Sequence, residues 1–383
     1  MAAKDYTFPF KFKAAVLHEV NQPLVVEEVE ITELKQGECL VKVAAAGICH
    51  SDLHMIKGDW SVKGVLEVPM PIVLGHEGSG IVAKLGPGVT TVKEGDHCVL
   101  LFQPNCGKCE MCQVGRPMMC RGHSNSKPGT HNDGTTRMKV NGKEGYVMCA
   151  LGCFGEYAVI AEEQLLPIGK DVPLDKAALV GCSVMTGVGA ALNTAKVETG
   201  STVVVVGCGG VGLNIISGAR LVNAGMIIGI DLVSKKLEYA TEFGATHVID
   251  GSKIENTVAE VMRLTGGLGV DYAFDAIGHK AVLEQIFQMI KPGGTCVEVG
   301  VAPIMQAASI SPFMLALQEK TIKGSLYGSA RPRVDMVRLL DLYKQKRLKL
   351  DELVSETLKL SEINHGFDLL KSGAVARSVI VFD

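Results

Sequence analysis

The feature that most constrains the fold is a glycine-rich turn between an apolar run and an amphipathic one. Residues 201–206 are mostly valine and predict a buried strand, and residues 213–224 have the periodicity of a helix. Gly207 permits a tight turn, Gly209 lets the backbone approach a pyrophosphate, and Gly212 allows close helix–strand packing. Asp231 ends the next apolar run, nineteen residues after Gly212. This context predicts a dinucleotide-binding unit, rather than an ordinary strand–turn–helix, with phosphates at the helix N-terminus.

The predicted dinucleotide is NAD, with NADP as the alternative. We expect Asp231 to hydrogen-bond the adenosine ribose and to repel the additional phosphate of NADP. Two unit charges about 4 Å apart interact by roughly 4 kcal/mol at an effective dielectric near 20, so even part of this repulsion favours NAD. Lys236 either contacts the same ribose or is an ordinary surface lysine. The predicted cofactor-binding residues of this unit are Gly207, Gly209, Gly210, Val211, Gly212, Asp231 and Lys236.

The rest of the chain predicts a β-rich unit followed by an α/β unit. Residues 12–100 contain short apolar or alternating runs broken by glycine and proline, which are typical of strands. After residue 177, strand and helix patterns alternate as in a doubly wound parallel sheet, and residues 335–383 return to helix and then strand. Strands are predicted at residues 14–17, 40–46, 80–85, 97–101, 226–230, 248–250, 270–276, 295–299 and 378–382, and a helix at 280–290.

Residues 103–155 are rich in Gly, Pro, Asn and Cys and predict a long loop. Four of its cysteines have the spacing C-x2-C-x2-C-x7-C and offer the thiolates of a structural zinc site; they are Cys106, Cys109, Cys112 and Cys120. An iron–sulfur cluster is the competing interpretation. A disulfide framework is disfavoured because the chain is large and no secretory leader is predicted.

A second set of candidate metal ligands is dispersed along the chain. Residues 47–54 read GICHSDLH and predict a loop after an apolar strand, although alone they are equally compatible with a polar turn. Glycines bracket His76 and Glu77, and Cys182 lies near the predicted domain junction, where a buried apolar cysteine is the alternative. Catalytic zinc usually keeps three protein ligands and one open position, for which Cys49, His76 and Cys182 are candidates.

Composition argues against several classes of partner. The 383 residues carry a formal net charge of -3, so no excess of Lys and Arg predicts binding to nucleic acid or to an anionic membrane. The most apolar region, residues 203–230, is interrupted by glycines and an arginine and predicts no membrane span. Residues 1–5 precede no apolar leader, which favours a cytoplasmic protein. The expected partner is a small molecule.

Together these motifs resemble the zinc-dependent alcohol dehydrogenases of the medium-chain dehydrogenase/reductase superfamily. Residues 47–54 are similar to the family's GICHSDxH segment, residues 75–80 to its GHExxG signature, and residues 106–120 to its structural-zinc lobe. The likeness continues through residues 207–231, 299–303 and 365–370. It implies a GroES-like β-rich catalytic domain at 1–183 with a zinc lobe at 103–122, a Rossmann-fold coenzyme domain at 184–326, and a C-terminal segment at 327–383 that returns to the catalytic domain.

The resemblance also implies a reversible hydride transfer between a primary alcohol or aldehyde and NAD, with two zinc ions per subunit. Cys49, His76 and Cys182 would bind the catalytic zinc, with Glu77 as a transient further ligand. Asp52 would hydrogen-bond the free ring nitrogen of His76. The four cysteines of residues 106–120 would bind the structural zinc.

Further residues are assigned by the same resemblance. Ser51 and His54 would relay the substrate proton to solvent. The remaining implied cofactor contacts are His50 and Arg377 at the pyrophosphate, and Thr186 and Val301 at the nicotinamide.

The substrate pocket is expected to be apolar, which favours a hydrophobic or aromatic alcohol. Its predicted lining is Trp60, Phe102, Met148, Cys149 and Leu326. The long connection at residues 120–154 resembles that of dimeric members, so a homodimer is predicted, with a homotetramer as the alternative. Two other functions remain open: a glutathione-dependent formaldehyde dehydrogenase, which shares these zinc and NAD residues, and an inactive zinc-bearing binding protein of the same fold. Polyol dehydrogenases are disfavoured because they commonly carry glutamate at the position of Cys182.

Overall fold

A computed structural model of the chain describes residues 6–123 and 126–383. Residues 1–5, on which the expectation of no secretory leader partly rests, lie outside the described residues. Residues 124 and 125, which belong to the predicted long loop, also lie outside them.

Strands from the first half of the chain form a closed barrel and an adjoining sheet, which two C-terminal strands complete. The barrel order is β1-β2-β7-β8-β4, and the sheet order is β10-β6-β5-β3-β18-β17, with β9 pairing to β3. Burial alternates in the first half of β1, where Phe12 is buried between the exposed Lys11 and Lys13, and residues 14–17 are all buried. The strands are β1 (Phe10–Leu17), β2 (Val25–Ile31), β3 (Glu38–Gly47), β4 (Ile72–Val73), β5 (Gly78–Leu85), β6 (His97–Leu100), β7 (Met138–Val140), β8 (Lys143–Val147), β9 (Tyr157–Ala161), β10 (Leu165–Ile168), β17 (Val354–Leu358) and β18 (Arg377–Val381).

The middle of the chain forms a six-stranded parallel sheet with the order β13-β12-β11-β14-β15-β16. The first strand in sequence thus lies beside both the second and the fourth, which is the Rossmann arrangement with its ligand crevice at the switch point. The strands are β11 (Thr202–Val206), β12 (Met226–Asp231), β13 (His247–Asp250), β14 (Val270–Asp275), β15 (Ile290–Glu298) and β16 (Thr321–Gly324). The helices are α5 (Gly210–Leu221), α6 (Ser234–Phe243), α7 (Thr257–Leu264), α8 (Lys280–Met289) and α9 (Pro312–Leu317). The predicted fold class is confirmed.

One continuous helix, Leu174–Ala195, lies where the two units meet. It comprises α3 (Leu174–Leu179), a π-helical turn at Val180–Val184, α4 (Met185–Gly189) and a second π-helical segment at Ala190–Ala195. It is long and apolar enough to cross a membrane by length and composition alone, yet 83% of its apolar window is buried inside the protein. It packs so closely on α5 that a Cβ at Gly187 would overlap the carbonyl oxygen of Val211. The helix is therefore a core element, and it carries Cys182 to the junction.

The remaining helices are α1 (His50–Lys57), α2 (Glu110–Gln113), α10 (Pro332–Lys344) and α11 (Ile363–Ser372). The C-terminal segment returns to the β-rich unit because β18 pairs antiparallel with β3, where Val379 faces Gly47. This pairing sets Arg377 beside the end of β3. The boundaries placed at residues 183/184 and 326/327 stay predictions.

Several local predictions were wrong. Residues 47–54 do not form a loop throughout, because α1 begins at His50 with Cys49 at its N-cap. The predicted loop at 103–155 contains the β7–β8 hairpin of the barrel, whose turn residues Asn141 and Gly142 both have positive φ (51° and 76°). An Asn-Gly pair between short strands favours this turn type, so the signal was present. The strand predicted at 295–299 begins at Ile290, although Pro292 and two glycines disfavour strand there.

Candidate active site

Three distant segments bring Cys49, His76 and Cys182 together. Cys49 precedes α1 at the end of β3, His76 occupies the tight bend between β4 and β5, and Cys182 lies in the π-helical turn of the core helix. Their ligating atoms all lie within 4.8 Å of one another and all three residues are buried. Cys182 Sγ lies 3.4 Å from His76 Nε2. Two thiols and one imidazole at this spacing fit a zinc ion with one open position.

The electrostatics of the two thiols favour cation binding. The hydrogen bond from Cys182, together with the nearby positive charge of Arg377, lowers the pKa of Cys49 well below its usual range despite burial. The same hydrogen bond and burial raise the pKa of Cys182. The pair therefore retains one proton, which a bound metal cation would displace.

Asp52 fixes the orientation of His76. Its carboxylate is fully buried, and Oδ1 accepts from His76 Nδ1 at 3.2 Å and from the Gly75 N–H at 3.0 Å. Oδ2 accepts from the Cys49 N–H at 3.2 Å. The bond to Nδ1 leaves Nε2 of His76 free to face the two thiols, which is the arrangement commonly found behind metal-binding histidines.

Glu77 lies behind this trio, held by Ser183 and Arg377. Its Oε1 accepts from the Ser183 N–H at 3.2 Å and from Ser183 Oγ at 2.5 Å, while Oε2 lies 3.4 Å from Arg377 Nη2. Burial raises the pKa of Glu77, and Arg377 opposes the shift. Arg377 also donates to the Ile48 carbonyl at 2.9 Å. Both Glu77 oxygens are therefore directed at Ser183 and Arg377, and the group of candidate zinc ligands consists of Cys49, His76 and Cys182.

The two residues predicted to move a proton lie on α1. Ser51 Oγ is 3.9 Å from Cys49 Sγ. His54 Nδ1 lies 2.6 Å from Asp59 Oδ2, and its ring stacks on Trp60 with centroids 5.0 Å apart. The sequence reasoning did not identify Asp59, although an acidic residue soon after the end of α1 is within reach of a histidine in its last turn.

One cavity of about 760 Å³ joins the trio to the glycine-rich turn. Each residue predicted to form the substrate pocket lines it: Trp60, Phe102, Met148, Cys149 and Leu326. Tyr327 also lines it and was missed; its ring lies 4.0 Å from that of Phe102, and its hydroxyl donates to the Gly181 carbonyl at 2.6 Å. The predicted cofactor residues that line the cavity are His50, Thr186, Gly207, Gly209, Gly210, Val211, Asp231, Lys236, Val301 and Arg377.

The far end of this cavity has the chemistry to hold a dinucleotide. A Cβ at Gly212 would overlap the Gly207 carbonyl oxygen, whereas a Cβ at Gly209 would meet open space. Arg377 Nε is buried beside Gly210 and has no hydrogen-bond partner among the described residues. An unpaired guanidinium donor at the N-terminus of α5 fits a pyrophosphate.

Asp231 lines the cavity near the glycine-rich turn. Its Oδ2 accepts from the Cys208 N–H at 2.8 Å and its Oδ1 from the Val233 N–H at 3.0 Å. Lys236 Nζ lies 3.9 Å from Asp231 Oδ2, so both side chains could contact the adenosine ribose of a bound dinucleotide.

The four cysteines of residues 106–120 form a second cluster. Their sulfur atoms lie within 4.8 Å of one another, and all twelve cysteines of the chain are free thiols. Backbone N–H groups point at the sulfurs; those of Cys106 and Gly122 lie 3.3 Å from Cys120 Sγ. Such donors stabilise thiolates, so the cluster fits a four-thiolate metal site.

Comparison with known proteins identifies the family. An alcohol dehydrogenase GroES-like domain matches residues 35–170, and a zinc-binding dehydrogenase domain matches residues 210–345. Over 376 residues the chain is 42% identical to an NDMA-dependent alcohol dehydrogenase of Amycolatopsis methanolica, covering 97% of this chain and 99% of that protein. The chain belongs to the zinc-dependent alcohol dehydrogenase family. The resemblance recognised in the sequence is confirmed.

Other members of this family are also similar along their whole length. An S-(hydroxymethyl)glutathione dehydrogenase of Paracoccus denitrificans is 38% identical, with 97% of this chain and 99% of that protein covered. The crystal structure of benzyl alcohol dehydrogenase from Acinetobacter calcoaceticus superimposes with a TM-score of 0.89 at 32% identity, over 97% of this chain and 99% of that one. The protein is thus an oxidoreductase of a family that uses zinc and NAD(H).

Asp52→Asn is expected to weaken zinc binding at the Cys49 site by about 10- to 100-fold. The amide keeps the bond to His76 but sets an N–H donor against the Cys49 N–H. Competition with a chelator of known affinity, followed by metal analysis, measures the change. The four-cysteine cluster of the same molecule is the internal control and should retain its metal; equal zinc affinity in both proteins would show that Asp52 does not orient the ligand.

Proposed function

We propose that this alcohol dehydrogenase interconverts a primary alcohol bearing a hydrophobic or aromatic tail and its aldehyde, with NAD as the hydride carrier. The observation that carries the proposal is the single cavity joining the Cys49–His76–Cys182 trio to the glycine-rich turn. When bound, zinc would supply Lewis acidity to the substrate oxygen and NAD would accept the hydride. Two zinc ions per subunit are proposed, one at the trio and one at the four cysteines.

In this proposal the three residues of the trio hold the zinc ion, and two side chains of α1 transfer the substrate proton. We assign Cys49, His76 and Cys182 as the catalytic ligands, with Asp52 setting the ring of His76. Glu77 acts as a transient ligand only if it exchanges its contact with Arg377. Ser51 takes the substrate proton and His54 passes it toward solvent, with the His54 ring held by Asp59 Oδ2 at 2.6 Å from Nδ1.

The lining of the reaction end supports an apolar substrate. Phe102 packs edge-on against His76 with ring centroids 5.7 Å apart, and Met148 and Leu326 add aliphatic surface. The Acinetobacter relative named benzyl alcohol dehydrogenase supports an aromatic tail. Glutathione is anionic and would need cationic side chains near the reaction end. Among the described lining residues, the lysine and the arginine are Lys236 and Arg377, and both lie at the proposed cofactor end. This disfavours the glutathione-dependent alternative.

The assembly is proposed to be a homodimer. β16 is the edge strand of the parallel sheet and offers unpaired backbone groups. Exposed apolar side chains accumulate in the segment before and within it: Met305, Phe313, Leu317 and Ile322. A second copy paired edge to edge would cover both features. We also propose a cytoplasmic location and the domain limits 1–183, 184–326 and 327–383.

Asp231→Asn is expected to shift the preference from NAD toward NADP. If the substitution removes half of the roughly 4 kcal/mol repulsion between Asp231 and the ribose phosphate of NADP, the ratio of kcat/KM with NADP to kcat/KM with NAD rises about 30-fold. Steady-state rates with each cofactor measure this ratio. Asp250→Asn, at the end of the neighbouring strand and outside the cavity lining, is the matched control. An unchanged ratio would exclude Asp231 as the discriminating charge.

The substrate proposal is tested with the zinc-loaded protein and a panel of benzyl alcohol, aliphatic primary alcohols, secondary alcohols, a polyol, and formaldehyde with and without glutathione. We expect the highest kcat/KM for the aromatic and longer aliphatic primary alcohols with NAD. An additional arm with NDMA follows the name of the Amycolatopsis relative. Strict dependence on glutathione would replace the proposed substrate, and absence of turnover in every arm would favour the inactive binding protein.

A further inference from the structure

Two acidic residues face each other at the ends of β14 and β15. The parallel register places Asp275 opposite Glu298. Ala273 and Cys296, two positions earlier, lie in one buried cluster, so both carboxyls project from the same face of the sheet. Asp275 is fully buried, and Glu298 Oε2 is enclosed without a hydrogen-bond donor among the described residues. Two adjoining carboxyls in such surroundings need a proton between them.

Asp275 is the member of the pair that is held in its ionised form. Its Oδ1 accepts from the N–H groups of Ile277 at 2.7 Å and Gly278 at 3.0 Å, and Oδ2 accepts from the N–H of His279 at 3.3 Å. Three backbone donors favour a carboxylate, so the shared proton resides on Glu298. Burial and the neighbouring Asp275 raise the pKa of Glu298 to about 8. Burial also raises the pKa of Asp275 against the effect of its three donors.

The elements around the pair provide little compensating charge. Lys320, which precedes β16 and lies on the same sheet face as Cys296, donates to the Phe287 carbonyl at 3.0 Å. Lys323 of β16 lies on the opposite face and donates to the Thr194 carbonyl at 3.4 Å, and Glu284 of α8 accepts from the Ser309 N–H at 2.8 Å. Cys296 precedes Glu298 by two residues on the same face of the strand, and burial raises the pKa of the Cys296 thiol to about 12, so it stays neutral. The start of α8 adds the N-cap His279 and Lys280, which are both exposed, while β11 and residues 190–195 carry no ionisable side chain.

The pair is connected to the cofactor cavity through two loops. The N–H groups of Val299 and Gly300 both donate to the Asp275 carbonyl, at 3.0 and 2.9 Å. Gly278 and Gly300 are in such close backbone contact that a Cβ on Gly300 would overlap the Gly278 nitrogen. Ala276 and Ile277 on one loop, and residues 299–301 on the other, line the cavity. The two strand ends that carry the carboxyls therefore lead directly into two walls of the cavity.

We propose that Asp275 and Glu298 are positioning residues for the cofactor, which share one proton and thereby hold the 276–278 and 299–301 loops in the geometry that binds NAD(H). Loss of this proton at alkaline pH leaves two facing carboxylates, which separate the strand ends and weaken NAD(H) binding. The inference rests on the proposed cofactor site. The pair acts through the loops and takes no part in hydride transfer.

The dissociation constant of NADH, measured by fluorescence titration from about pH 6 to about pH 10, tests the pair. The unaltered holoenzyme should bind with constant affinity below about pH 8 and lose up to about tenfold per pH unit above it, because binding takes up one proton. Glu298→Gln keeps an N–H donor toward Asp275 and has no proton to lose, so its affinity should stay flat. Glu319→Gln, an exposed carboxylate before β16, should follow the unaltered protein.

The same alkaline loss in Glu298→Gln, or no loss in the unaltered protein, would overturn the proposal. Failure of NADH to bind at any pH would instead remove the proposed cofactor site. Infrared titration of the unaltered protein gives an independent readout: we expect a protonated carboxyl band at neutral pH that disappears near pH 8. Its absence at neutral pH would also overturn the proposal, and this measurement does not require the variant to fold.

Discussion

Cys49→Ala is expected to lower kcat/KM for alcohol oxidation by at least about 1,000-fold. The variant leaves one thiol and one imidazole at the trio, which is too few ligands to retain zinc firmly. A zinc ion stabilises the charge that develops in the transition state by several kcal/mol. Each 1.36 kcal/mol corresponds to a factor of ten in rate, so loss of the zinc ion explains a decrease of this size. The measured zinc content should fall from two ions per chain to one. NADH should still bind because the glycine-rich turn is unchanged.

The matched control is Cys98→Ala. Cys98 is also a buried cysteine on a strand of the β-rich unit, but it lies outside the cavity lining. It should retain both zinc ions and most activity. Two zinc ions and undiminished turnover in Cys49→Ala would exclude the trio as the reaction centre.

Gly212→Ala is expected to cost about 3 kcal/mol of folding free energy or more and to abolish measurable NADH binding. The added methyl group would overlap the Gly207 carbonyl oxygen, which is backbone and cannot rotate away. Overpacking usually costs about 1–3 kcal/mol, and a backbone obstacle places this case at the upper end or beyond. Displacing α5 from β11 also displaces the N–H groups intended for the pyrophosphate. Chemical denaturation and NADH titration measure the two effects.

Gly324→Ala is the control for this change. Gly324 ends β16 with ordinary φ, and a Cβ there would meet no atom within 4 Å. Its stability and NADH affinity should match those of the unaltered protein. Equal NADH affinity in Gly212→Ala would show that close approach of α5 to β11 is not required for cofactor binding.

Local patterns predicted the parts of the molecule whose chemistry is encoded within a few residues. The turn at residues 207–212 and the spacing of residues 106–120 each specify their geometry without reference to the rest of the chain. Element types in the parallel sheet followed from periodicity for the same reason. The fold class was therefore accessible from sequence, and the family resemblance supplied the strand and domain connections that periodicity does not give.

Long-range contacts were not accessible from those patterns. Arg377 reaches Ile48 and Glu77 only because β18 pairs with β3, and a C-terminal arginine carries no local sign of that pairing. Asp275 and Glu298 each resemble an ordinary strand-end acid until the register of β14 and β15 places them opposite each other. The helix start at His50 was missed because Cys49 is not a typical N-cap residue.

The architecture explains why the trio forms at the junction. The end of β3, the bend after β4 and the core helix all supply one wall of the cavity, while β11 leads into the glycine-rich turn and β12 ends at Asp231 on the other wall. A hydrogen bond from Trp60 Nε1 to the Ala302 carbonyl at 3.3 Å links the two walls near the reaction end. The proposed substrate and cofactor sites are thus adjacent because both lie at the edge shared by the two units.

The most direct test of the central claim is zinc removal and restoration in the intact protein. Metal analysis should find two zinc ions per chain, and a chelator that removes the more labile one should abolish NAD reduction by benzyl alcohol while NADH still binds. Addition of one equivalent of zinc should restore the rate. Undiminished alcohol-dependent NAD reduction by protein shown to contain no zinc would contradict the account.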